Sequence, residues 1–135
     1  MNIRSLGWVV VLAFAGTQAL ANAQVRFGGW ALQANGQLAK GFQYTGSCPV
    51  SLKFDWGVMS NAPTDIHYIF ERSDGGHGPA QSRHIDQANH SLSVTEDWHL
   101  GANTPQFANY HGWLQMNIEE PNRVSHRIAF TIHCK

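Results

Sequence analysis

Apolar side chains recur at every second position through most of this chain, and sustained helical periodicity is missing beyond its first two dozen residues. Cys48, Val50, Leu52, Phe54 and Trp56 fall on one side of an extended strand, and Ser51, Lys53 and Asp55 on the other. Such a strand is half-buried. The same period returns in Ile66, Tyr68 and Phe70, in Leu92, Val94 and Trp98, in Leu114, Met116 and Ile118, and from Val124 through His126, Ile128, Phe130 and Ile132 to Cys134.

Turn-forming residues separate these runs. Asn61-Ala62-Pro63 and Arg72-Ser73-Asp74-Gly75-Gly76 bracket one strand, and Glu119-Glu120-Pro121-Asn122 folds the last two into a hairpin. Glu96 interrupts the run from Leu92 to Trp98, which signals a bulge, a sheet edge or a polar contact. Ahead of Cys48, residues 25–32 and 38–44 read as strands around an Asn35-Gly36 turn. A short strand fits residues 83–85, within a polar segment rich in Gly, His and Gln. The total is about seven strands at the spacing of an antiparallel sandwich. Trp56 falls on the core face, where a buried Trp beside a disulfide is ordinary sandwich architecture.

Residues 1–23 read as an export signal: Arg4, an apolar run over 6–15, and small residues ending in Ala21-Asn22-Ala23. Cleavage is expected before Gln24, with Ala19-Leu20-Ala21 as a second site. The apolar run is shorter than the roughly 20 residues a spanning helix needs, and no later segment approaches that length. The expectation is therefore a secreted or periplasmic protein without membrane insertion. Removing the signal from 135 residues leaves 112, over 24–135, suited to one domain. Nine Lys and Arg, less Arg4, against nine acidic residues give a mature formal charge of −1. No basic surplus exists to neutralise phosphates, so nucleic acid is not an expected partner. Eight histidines mean that net charge rises between pH 7 and pH 5.

Cys48 and Cys134 are the two cysteines. In an oxidising compartment they are expected to pair, and antiparallel packing brings the start of one strand to the end of the last. The histidines form no His-x-His strand pair and no zinc-binding helix motif. His77, His84, His90, His99 and His111 fall in or beside expected loops, where two or three would converge if the protein bound metal; no ligand set follows from spacing. No Gly-x-Ser-x-Gly elbow surrounds a serine. Glu96-Asp97 and Glu119-Glu120 are adjacent pairs that face opposite ways on a strand, unlike the opposed carboxylates of a glycosidase. No cofactor is implied. Trp113 is out of register with Leu114, Met116 and Ile118, and Trp30 sits among glycines, so either offers a flat platform for a sugar ring, a peptide or a protein.

Tyr44-x-Gly46-x-Cys48-Pro49, Arg72-Ser73-Asp74-Gly75 after an aromatic strand, Trp98-x-Leu100-Gly101, Gly112-Trp113, and Pro121-Asn122 before a final strand ending in Cys134 together carry a resemblance. Over residues 42–135 the chain resembles small exported bacterial proteins with an immunoglobulin-like sandwich. That resemblance implies the fold and the Cys48–Cys134 disulfide, and brings no catalytic residue. The expected function is a non-catalytic binding module for a protein or carbohydrate partner, with Trp30, Trp113, Tyr110, Arg72, Asp74 and His77 as candidate contacts. It expects a contiguous exposed apolar patch. Two other readings stay open, a histidine-based metal-binding or pH-responsive envelope protein and a small hydrolase.

Overall fold

The computed structural model describes residues 23–135. The expected export signal lies, Ala23 apart, outside the described residues. Nine strands follow in order: β1 (Val25–Ala34), β2 (Gln37–Leu38), β3 (Gln43–Gly46), β4 (Val50–Ser60), β5 (Thr64–Arg72), β6 (Gln81–Ile85), β7 (Leu92–Leu100), β8 (Tyr110–Glu120) and β9 (Val124–Cys134). Two three-residue 3₁₀ turns, Lys40–Phe42 and Pro105–Phe107, are the other regular elements. The strands form two sheets, one ordered β2-β1-β4-β7 and the other β3-β9-β8-β5-β6. All neighbours are antiparallel except β3 and β9, which run parallel.

The period-two pattern dictates this stacking. Val50, Leu52, Phe54, Trp56 and Val58 of β4 are fully buried, as are Leu114, Met116 and Ile118 of β8, because each inner face has only the other to exclude water. Rings from the two sheets interlock: Phe54 and Trp98 each meet Phe130 at 5.5 Å, and Trp56 meets Phe70 at 5.5 Å. Each such side chain contributes roughly 1.5–3 kcal/mol through burial.

The expected strand over 38–44 is divided. Gly41 and Phe42 take positive φ, +64° and +57°, and the 3₁₀ turn they form carries the chain from one sheet to the other. β2 thus closes a hairpin on β1 while β3 joins β9. Cys48 and Cys134 are bonded, with Cα atoms 5.5 Å apart. The residue against this disulfide is Gly101, whereas Trp56 lies farther along β4. Glu96 marks an edge and not a bulge, since the β4–β7 register runs unbroken through Phe54 opposite Glu96 and, among the described residues, nothing pairs beyond β7.

The two sides of the sandwich where sheet edges face one another are closed differently. On one, β1 lies near β9, and the Trp30 ring lies tilted against the His126 ring with centroids 3.7 Å apart. On the other, β7 faces β5 and β6, and the alternation breaks at Glu96. A crevice remains there.

Candidate functional site

Trp113 stands on the outer face of the five-stranded sheet because it occupies the polar register of β8. Its cross-strand partner on β9 is the small Ala129, which leaves the indole proud of the sheet. On the Gln115 side, the Arg127 guanidinium carbon lies 3.6 Å from the indole centroid. Arg127 is itself held, because its Nε donates to Gln115 Oε1 at 3.0 Å. Gln115 Nε2 donates to Asn117 Oδ1 at 2.7 Å, and Ser125 Oγ donates to the same oxygen at 2.7 Å. Asn117 is buried despite its outward register, so this chain of donors and acceptors is anchored at its far end.

On the His111 side, the indole borders a shallow trough of about 290 Å³. Ala129 and Gly112 form part of its floor, and Phe42, Gln43, His111 and Thr131 stand around it. Thr131 Oγ1 and His111 Nδ1 are 3.0 Å apart, which orients the imidazole. The trough therefore offers aromatic surface from Trp113 and Phe42, an amide, a hydroxyl and an imidazole. No Lys, Arg, Asp or Glu lines it.

The 72–76 turn is tied to Trp113 from behind the sheet edge: Ser73 N–H donates to the Trp113 carbonyl at 3.0 Å, and Trp113 N–H to Ser73 Oγ at 3.1 Å. Asp74 serves the turn itself, accepting from Gly76 N–H at 2.8 Å and pairing with Arg72 Nε at 3.3 Å. Arg72 and His77 line the crevice beside β7, about 250 Å³ in volume, together with Phe70, Gln81, Glu96, Asp97 and Leu114. Glu96 and Asp97 face opposite ways along the strand yet both border this space, because it wraps around a free edge. Burial pushes the Glu96 carboxyl above its ordinary value, with Asp97 adding to the rise and the Asp97 backbone N–H and Arg72 opposing it.

The remaining candidates separate. Trp30 is 48% exposed but lies on the other open side, on His126. Tyr110 is half-buried, packed on Phe107 at 5.1 Å and Phe130 at 6.3 Å. Among the described residues the exposed large apolar side chains are Trp30 and Leu38. Trp30 pairs with inward-facing Trp56 and Leu38 with outward-facing Gln33, so they form no common patch. The contiguous apolar patch expected of a binding surface is not made by large side chains.

The histidines disperse. His84, His99 and His111 lie within β6, β7 and β8, not in loops. Among the described residues no three His, Cys, Asp or Glu side chains come together to hold a metal ion. Ser51 Oγ and His99 Nδ1 are 2.7 Å apart, and His84 Nδ1 and Asp65 Oδ1 2.6 Å, but these are separate exposed pairs on outer strand faces. Neither joins hydroxyl, imidazole and carboxylate in one relay.

Arg127, Gln115 and Asn117 escaped the sequence reading, although their alternation with the inward residues of β8 and β9 placed them beside Trp113. Their signal was the shared polar face, legible once the hairpin register was written out. A comparison with protein-family models finds no match, and a comparison with curated proteins finds none either. No helix among the described residues is long and apolar enough to cross a membrane.

Proposed function

We propose that this protein is an exported, non-catalytic binding module that holds an uncharged carbohydrate in the trough beside Trp113. The single observation that carries this reading is the indole braced by Arg127 on one side and bordering a neutral, hydrogen-bonding trough on the other. A ring fixed before the ligand arrives loses little freedom on binding. Sugars present an apolar face and a rim of hydroxyls, which match the Trp113 ring with an amide, a hydroxyl and an imidazole nearby. The absence of a large apolar patch among the described residues favours a hydrophilic ligand over a protein hot spot.

The immunoglobulin-like reading has support from strand order. With β2 and β3 set aside, seven strands divide as first, second and fifth against third, fourth, sixth and seventh. That differs from the constant-type arrangement in the sheet the fourth strand joins. Export is supported by the Cys48–Cys134 disulfide, which reducing compartments disfavour.

Calorimetric titration with a panel of neutral mono- and oligosaccharides tests the proposal. Binding by the wild type that weakens at least about tenfold in Trp113→Ala and stays unchanged in Trp30→Ala is expected. Wild-type protein that binds no member of the panel, or equal binding by Trp113→Ala, overturns it.

A further inference from the structure

The crevice along β7 has a chemistry opposite to that of the trough. Glu96 occupies the inward register between Val94 and Trp98, so its carboxylate is directed into the gap between the sheets. Among the described residues no Lys, Arg or His lies within ion-pair distance of it. Arg72, the cation bordering the same space, acts on Glu96 only through space, its guanidinium being paired with Asp74 at 3.3 Å and lying over the Trp98 ring at 5.1 Å. A half-buried carboxylate with no cation in direct contact is unfavourable until one reaches it.

The walls decide what kind of cation fits. Phe70, Leu114 and Pro79 supply apolar surface, while Gln81 and His77 add hydrogen-bonding groups. The volume of about 250 Å³ falls below that of pockets for drug-sized ligands, and suits a side chain or a small amine. A bare metal ion would find too few donors, since no metal-holding group exists among the described residues.

We propose that this crevice binds a cationic head group, ammonium or guanidinium, carried on an unbranched apolar stem, with Glu96 as its counter-charge. Phe70, Leu114 and Pro79 receive the stem. A free alkylamine and the Lys or Arg side chain of a peptide share this chemistry. For a peptide, the backbone edge of β7, unpaired among the described residues, supplies further hydrogen bonds to an extended chain.

The test is NMR titration of the mature wild-type protein with n-butylamine, and with an end-blocked peptide Thr-Val-Lys-Val-Thr beside its norleucine analogue. Expected are shifts confined to Phe70, Leu114 and Glu96 neighbours, and affinity at least about tenfold weaker in Glu96→Gln. Peptide binding tighter than butylamine, and lost with norleucine, assigns the site to basic segments of proteins. Equal affinities assign it to small amines. Affinity should also fall as pH drops and Glu96 takes up a proton, with Asp97, Arg72 and His77 lining the site and Tyr68, which pairs with Gln81 and senses Arg83, beside it. Folding of Glu96→Gln is checked by its thermal transition, and Trp113→Ala serves as a variant whose amine binding stays intact. Absence of shifts with both amine and peptide, equal binding of the norleucine peptide, or unchanged affinity in a folded Glu96→Gln protein overturns the proposal.

Discussion

The indole N–H of Trp56 donates to Nδ1 of His126 at 3.2 Å, joining the two sheets through the interior. Trp56 is fully buried, and the imidazole is covered by Trp30 and flanked by Phe27 at 5.6 Å. Accepting that bond requires Nδ1 without a proton. Burial accordingly lowers the His126 pKa from its ordinary value.

This coupling fixes a sign for the pH dependence of stability. Above the ordinary imidazole value of about 6.5, folded and unfolded states both keep His126 neutral. Below it the unfolded chain binds the proton first, so the contribution of His126 is lost as pH falls through the depressed folded value. Urea denaturation of wild type and His126→Phe at several pH values measures it. At pH 7.5 the variant, which strands the indole donor, is expected to be less stable by about 1–3 kcal/mol. The gap should narrow towards pH 5, and a constant gap would show the bond to be uncoupled from protonation.

Glu96 carries the opposite sign. Burial raises its pKa, so the folded state favours the protonated carboxyl, and stability from this residue is present at acid pH and lost as pH rises through the raised value. Glu96→Gln should therefore raise the melting temperature at pH 7.5 and lose that advantage at pH 4. A variant that melts below wild type at neutral pH would indicate that the carboxylate is stabilised by more than its own strand.

Alternation alone was enough to place Val50 to Trp56, Leu114 to Ile118 and Val124 to Ile132 on inner faces, because burial on one side leaves a period of two whatever the partner sheet. The interruption at Glu96 was legible for the same reason, but bulge, edge and polar contact stayed open until the β4–β7 register showed an edge. Partnership across sheets was not legible. His126 follows the core period, but nothing local tells that Trp56, 70 residues earlier, donates to it. The split of residues 38–44 was equally hidden, since Phe42 at positive φ is imposed by the crossing to β9 and not by its own preference. Trp113 was visible as an outward aromatic, whereas its brace required the β8–β9 register.

The brace makes a separate prediction about the trough. Arg127→Ala removes the guanidinium from the indole and leaves Gln115 Oε1 without its donor, so Trp113 should sample more rotamers. Its indole N–H resonance should broaden or shift while those of Trp56 and Trp98 stay in place. The loss in global stability should be no more than about 1 kcal/mol, because the contact is on the surface. A Trp113 resonance that does not respond would place the rigidity of the ring in the trough walls.

At the end of the sandwich, Gly101 lets the disulfide close. Its φ is +99°, and a Cβ built there would stand 2.9 Å from Cys48 Sγ and 3.0 Å from Cys134 Sγ. Gly101→Ala thus meets a backbone penalty and a collision with two sulfurs that have little room to move, and should cost at least about 1 kcal/mol. The Cys48–Cys134 bridge closes a loop with a sequence separation of 86, which on chain-entropy grounds contributes roughly 4–5 kcal/mol. In a protein with both cysteines changed to alanine the sulfurs are gone, leaving the backbone penalty and the approach to the Cβ at position 48, 3.1 Å away. A double-mutant cycle by urea denaturation separates the two: the cost of Gly101→Ala is expected to shrink in the cysteine-free background. An identical cost in both backgrounds would assign the requirement for glycine to φ and the neighbouring Cβ of residue 48, and not to the sulfurs.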